Sequence, residues 1–160
     1  MSKFLTAPVP SKKLPGGIPY IISNELAERF SFYGMKGILI AFMGMYLYLL
    51  KADPNAAPMS DAVAIEWYHT FTFWVYLTPL AGALLADVLI GKYLTIMILS
   101  IVYCLGHGAL ALMGAVDFAA FGFDPAEFFF IFGLSLIAIG SGGIKPCVSA
   151  HVGDQFGESN

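Results

Sequence analysis

Apolar residues in this chain gather into four long blocks, at about 18–50, 62–90, 93–116 and 125–152, separated by short polar or turn-rich stretches. Each block has the ~20 residues or more that a helix needs to cross the hydrocarbon core of a bilayer. Their leucine-rich texture lacks the period-two alternation of membrane strands. The pattern predicts an all-α, polytopic membrane protein with four transmembrane helices. The first block is long enough to overshoot the bilayer, so it must tilt or project. Asp53-Pro54, Asn55 and Pro58 mark segment 51–60 as a loop, and Ser60-Asp61 supplies the start of the second helix. Asp124-Pro125-Ala126-Glu127 places Asp at the N-cap, Pro at the first helical position and Glu at the third, where carboxylates meet unpaired amides.

Composition agrees with the pattern. Residues are 58% hydrophobic and only 12% charged, against about 25% charged in soluble domains. Residues 1–17 read as a cytoplasmic tail: Lys3, Lys12 and Lys13 precede a Pro- and Gly-rich entry, and no cleavable signal is evident. Lys92 lies between the second and third blocks, against Lys51 alone on the opposite side, which predicts a cytoplasmic tail and second loop. Asp117 and Asp124, without Lys or Arg, then face outward, and the fourth block returns the chain to the cytoplasm. The expected location is integral in the plasma, or inner, membrane. Residues 18–160 read as a partial transmembrane bundle. So many charges within four helices make a poor complete protein, and Gly157-Glu158-Ser159-Asn160 carries no termination feature, so a fragment of a longer chain is expected. The net charge of −3 says little about partners, since its distribution matters more than its sum, and no basic patch points to nucleic acid, so none is expected as a partner. Cys104 and Cys147 fall inside blocks as small packing residues, and neither a disulfide nor a metal site is expected.

Charges inside the blocks change the picture most. A lone charge at mid-bilayer costs about 2.5–3.5 kcal/mol, so charges persist there when paired or facing an aqueous cavity. At the helical period, Glu25, Arg29, Phe32 and Lys36 share a narrow arc, with Glu28 and Tyr33 on its edges. The spacing lets both carboxylates approach the guanidinium, and two close carboxylates make one a protonation site. A purely stabilising salt bridge is the alternative, but apolar packing would serve at lower desolvation cost.

In the fourth block, Pro146 removes an amide donor from Gly140-Ser141-Gly142-Gly143-Ile144-Lys145-Pro146, predicting a broken helix. Ser141, Lys145 and Ser149 form a polar stripe. Lys145 requires an anion, with Glu25 or Glu28 the nearest candidates, unless it snorkels to the interface. His69 and Tyr76 share a face of the second helix above a kink expected at Pro79; His69 is either a titrating group or an interfacial ring. Asp87 and Lys92 flank a glycine turn and can tie two helix ends together as a cytoplasmic gate. Gly34, Gly37 and Gly44 permit close helix approach and imply no function. No nucleophile–base pair or metal-ligand spacing occurs, so no enzyme and no cofactor is expected.

Glu25-Leu26-Ala27-Glu28-Arg29-Phe30-Ser31-Phe32-Tyr33-Gly34 resembles the ExxERFxYYG signature of proton-dependent oligopeptide transporters of the major facilitator superfamily. Segment 82–95 is similar to that superfamily's loop between helices two and three. Gly140-Ser141-Gly142-Gly143-Ile144-Lys145-Pro146-Cys147-Val148-Ser149, followed by Gly153-Asp154-Gln155-Phe156, resembles the family's GxGGIKPCVS and GDQF pattern. The resemblance implies two six-helix bundles with substrate between them, this chain supplying the start of the first bundle. It implies proton coupling by Glu25, Glu28 and Arg29 with Lys145, and a peptide carboxylate met by Arg29 and Lys145. It also implies a pocket lined by Tyr33, Lys36 and Tyr76. Tyr68-His69-Thr70-Phe71 is similar to the segment that carries the proton-linked histidine of animal members.

Three positions depart from the pattern: Phe32 replaces the first tyrosine of the pair, Lys36 stands where arginine is usual, and Phe42 occupies a frequent tyrosine position. Each loses a hydroxyl or a bidentate fork. The expected function is symport of di- and tripeptides with protons by alternating access, powered by the proton gradient. Expected partners are peptide, protons, lipid and the remaining helices of the same chain. Two alternatives stay open: another small solute, such as nitrate, on the same fold, or a four-helix membrane protein that assembles partners without transport.

Overall fold

The computed structural model describes residues 13–114 and 124–157. Lys3, Lys12, Asp117 and the last residues of the predicted third helix lie outside them, as do Glu158, Ser159 and Asn160. Four helices form: α1 (Ile18–Met45), α2 (Asp61–Leu84), α3 (Lys92–Leu112) and α4 (Pro125–Gly153). The first apolar block does not stay α-helical to its end. Helix α1 stops at Met45, and Leu47–Leu50 winds as a tighter 3₁₀ turn, with Leu49 N–H bonded to Tyr46 O at 3.0 Å. Such tightening is common at a helix end, and here it tucks Leu47 into the core. Helix α2 widens to a π-helical turn over Leu85–Ile90, then ends at Gly91, whose φ of 80° suits glycine alone.

The helix starts follow local chemistry. Asp124 caps α4 by accepting from the amides of Ala126 (3.0 Å) and Glu127 (3.3 Å). Ser60 occupies the N-cap of α2 without a side-chain cap bond, leaving Asp61 to meet the positive end of the helix.

Helix α4 corrects one expectation: it runs unbroken through Pro146. The carbonyl of Gly142 loses its usual amide partner. Tight packing holds the segment helical nonetheless, since Gly142 lies against Thr78 and Val75 of α2, and Gly143 against Leu99 of α3. Neighbouring helices commonly compensate a transmembrane proline in this way.

Helix α4 is also the centre of the bundle, with 56% of its most apolar stretch buried, against 17% for α2 and 28% for α3. It is crossed closely at glycines. A Cβ on Gly82 would lie 2.7 Å from the Gly143 carbonyl oxygen, and Cβ atoms on Gly106 and Gly133 would each lie 2.9 Å from the other's carbonyl oxygen. Small residues let helix backbones approach in this way, which is how membrane helices gain dispersion contact without a hydrophobic driving force. By contrast Gly34 and Gly37 face open space, and a Cβ on Gly44 would lie 3.7 Å from the Met59 carbonyl oxygen, an ordinary contact. Phe32 and Met43 of α1, Phe71 and Val75 of α2, and Ile137 and Ile144 of α4 join the buried core between these crossings.

Among the described residues, α2 with its π turn, α3 and α4 are long and apolar enough to cross a membrane. Helix α1 has 28 residues, ~42 Å at the α-helical rise, but carries Glu25, Glu28, Arg29 and Lys36. Ion pairs close both ends of the bundle: Lys51 with Glu127 at 3.0 Å, and Lys92 with Asp154 at 2.8 Å at the opposite end.

Candidate functional site

Helix α1, which carries the charged face, is held against α3 by hydrogen bonds. Asn24 Nδ2 donates to Ser100 Oγ at 3.4 Å, and Ser31 Oγ lies 2.6 Å from the Tyr103 hydroxyl, which also donates to the Glu28 carbonyl at 3.1 Å. These contacts fix the rotation of α1 against α3 and so decide where each charge points.

Arg29 and Glu25 pair as their spacing predicts. Arg29 donates from Nε (2.6 Å) and Nη2 (2.5 Å) to the same oxygen, Glu25 Oε1, and from Nη1 to the Tyr33 hydroxyl at 3.5 Å. The expectation that both carboxylates approach the guanidinium is corrected. Glu28, only 5% exposed, turns away from Arg29 to accept a hydrogen bond at Oε1 from Ser141 Oγ of α4, which is fully buried. The cause is angular: Glu28 sits at the edge of the charged arc, toward the polar stripe of α4. The second oxygens, Glu25 Oε2 and Glu28 Oε2, are buried and have no hydrogen-bond partner among the described residues.

Lys145 corrects a second expectation. Among the described residues it has no carboxylate within ion-pair distance; its ammonium sits 4.9 Å from the centroid of Phe32 and 5.9 Å from that of Tyr76. Lys36 lies 6.0 Å from the same Phe32 ring and 5.1 Å from Tyr68. Phe32, 3% exposed, is braced by Phe71 at 6.1 Å and Tyr33 at 5.5 Å. One rigid ring therefore serves two ammonium groups. The departure from tyrosine at this position removes a hydroxyl but not this contact, since the ring face of either residue attracts a cation.

The remaining predicted residues divide. Tyr33 and Tyr76 are exposed beside the cluster, 56% and 72%, on the side that Lys145 and Arg29 face. His69 is exposed on α2 with its ring edge-on to Tyr68 at 5.7 Å, and it does not join the Glu25, Glu28 and Arg29 network. Lys92 pairs with Asp154 rather than with Asp87, because Gly91 turns the chain and aims Lys92 at the end of α4. His151, on α4, rests against Tyr93 at 6.2 Å beside this pair.

Two contributors escaped sequence reasoning. Ser141 appeared only as part of a stripe, though its place four residues before Lys145 puts it beside the cation on the same face. Tyr103 lies in an apolar block with no periodic signal, and only the packing of α3 on α1 reveals it.

The family described as PTR2, POT family, matches residues 93–160. The chain is 45% identical over 152 residues to "Peptide transporter family 1" of Drosophila melanogaster, which covers 95% of this chain and 18% of that protein. It is 43% identical over 151 residues to "Solute carrier family 15 member 1" of Homo sapiens, covering 90% of this chain and 20% of that protein. The chain thus spans about a fifth of the length of these relatives. Among solved structures, the crystal structure of the POT family transporter PepTSo matches with a TM-score of 0.72 and 45% identity, over 92% of this chain and 26% of that one. A structure of an auto-inhibited POT family peptide transporter matches with a TM-score of 0.74 and 45% identity, over 91% and 26%. In sequence over nearly its whole length, and in fold, the chain is thus similar to POT family peptide transporters.

Proposed function

We propose that this chain is the membrane-embedded start of a secondary transporter, residues 18–160 forming part of the first bundle, that carries di- and tripeptides together with protons by alternating access. The observation that carries this reading is the separation of the acids from Lys145. Glu28 is held by a hydroxyl and Glu25 by Arg29, while Lys145 and Lys36 rest on aromatic rings. A cation on a ring is stabilised by about 0.5–2 kcal/mol, and a hydrogen bond to a charged partner by about 1.5–3 kcal/mol. An arriving peptide carboxylate therefore draws Lys145 off Phe32 without first breaking an ion pair.

Arg29 is different, because Glu25 occupies two of its donors. Protonation of Glu25 releases that guanidinium to join Lys145 on the carboxylate, which couples proton entry to peptide binding. Protonation of Glu28 removes a buried charge at the α1–α4 contact and biases the outward- and inward-facing populations, provided the two states bind the proton unequally. Tyr33, Lys36 and Tyr76 line the peptide side, and His69 is a second proton carrier that engages through helices outside this chain. The Lys92–Asp154 pair with Asp87 closes the cytoplasmic end, with the N-terminal tail on that side and the whole protein in the plasma or inner membrane. No covalent chemistry or cofactor is needed, and the proton gradient supplies the energy.

The test is labelled-dipeptide uptake by the complete transporter in proteoliposomes under an inward proton gradient, with unlabelled competitors. Dipeptides and tripeptides should compete, and free amino acids and nitrate should not. Competition by nitrate or another small solute, with peptides silent, would transfer the site to a different cargo.

A further inference from the structure

We infer that Ser141 is a positioning residue that keeps Glu28 out of an ion pair with Lys145, so that the lysine stays available to substrate; this rests on the transport reading above. Ser141 is fully buried, and its hydroxyl donates to Glu28 Oε1 across the α1–α4 contact. One helical turn later on the same face stands Lys145, seated on Phe32 and Tyr76. The charged groups around Glu28 are Glu25 and Arg29 on its own helix and Lys145 on α4. Tyr103 of α3 bonds the Glu28 carbonyl, and Tyr76 of α2 meets Lys145.

Lys145 acts on the Glu28 charge from the facing helix, and unlike charges in a low-dielectric site attract strongly enough to favour pairing. The serine supplies the competing partner: a hydroxyl bond to a carboxylate is charge-assisted, roughly twice as strong as a neutral one, and needs no movement of Lys145 from its ring. Ser141 also assigns the two carboxylate oxygens. Oε1 is occupied, and the buried Oε2 is left without a partner among the described residues. A proton arriving from the aqueous side forms its O–H bond at Oε2, while Oε1 keeps its bond from Ser141. The α1–α4 contact thus survives both protonation states, and only the charge changes.

The consequences separate this role from a structural one. In Ser141→Ala the carboxylate loses its partner and swings to Lys145, which then has to be pried from an anion before substrate binds. In the complete transporter in proteoliposomes, KM for a dipeptide should rise about tenfold. The pH midpoint of proton-driven uptake should move about one unit to the acid side, because pairing with a cation favours the charged carboxylate. Ser141→Thr, which keeps the hydroxyl, should restore both. Unchanged KM and midpoint in Ser141→Ala overturn the inference, as does a fall in maximal rate alone.

Infrared difference spectra of the unsubstituted protein across pH provide a second measure that does not depend on any Ser141 variant folding. The protonated carboxyl band that Glu28→Gln removes should lie at a hydrogen-bonded frequency, and a free-carboxyl frequency overturns the inference. If the unsubstituted protein carries no peptide, the transport reading fails by itself, and the infrared band still decides whether Ser141 holds Glu28.

Discussion

On the proposed reading, Glu28→Gln in the complete transporter should abolish proton-driven accumulation of dipeptide, with a loss that exceeds that of counterflow exchange by at least about an order of magnitude. The amide is nearly isosteric with the carboxyl group and retains an oxygen that accepts from Ser141, so the α1–α4 contact made by that hydroxyl stays intact. What disappears is the ability to carry a charge in one state and none in the other. Without that difference the proton gradient has nothing to act on at this site, since a ligand moves an equilibrium only by its unequal binding to the two states. Exchange of peptide against peptide requires the cavity to alternate but does not require net proton movement. Parallel uptake and counterflow assays on one preparation check this. Equal loss of both would make Glu28 a folding or binding group.

Gly82→Leu should prevent the bundle from assembling. A Cβ on Gly82 would meet the Gly143 backbone itself, 2.7 Å from its carbonyl oxygen, whereas one on Gly143 would press only on the Leu99 side chain of α3. A side chain can yield, but two backbones in contact cannot separate without moving α2 from α4 along their whole crossing. Overpacking a core usually costs about 1–3 kcal/mol and occasionally more, and this site belongs at or above the upper end. The expected outcome is loss of the monodisperse peak in detergent chromatography and of cooperative thermal unfolding. Gly108→Ala is the contrast, because its Cβ meets nothing within 4 Å; removing a helical glycine there is neutral or stabilising by up to ~1 kcal/mol. Equal tolerance of both substitutions would mean that the glycine crossings do not hold the bundle.

These effects show which features were legible in the sequence. The blocks of apolar residues outline the helices, because a bilayer demands long uninterrupted helical runs. The Asp124-Pro125 start is visible because capping is local chemistry. The Glu25–Arg29 pair is visible for the same reason: both partners lie on one helix, four residues apart. What lay beyond reading is everything that depends on how one helix is rotated against another. The helical period sets the angle of Glu28 relative to Arg29, but the contacts of Asn24, Ser31 and Tyr103 with α3 decide that Glu28 faces Ser141. That Lys145 has no carboxylate within ion-pair distance among the described residues was likewise invisible. Composition argues that a buried cation needs a carboxylate, and the Phe32 ring supplies a different partner. Pro146 misled for a related reason, since its cost is local and its compensation comes from glycine packing on two other helices.

The measurement that bears most directly on the central claim is dipeptide-driven acidification inside proteoliposomes containing the complete transporter, with an imposed pH gradient and Lys145→Ala in parallel. The account predicts proton flux that requires dipeptide and is lost when Lys145 is removed, because peptide carboxylate and proton meet at the α1–α4 contact. Absence of dipeptide-dependent flux in the folded, unsubstituted protein, or full flux in Lys145→Ala, would contradict it.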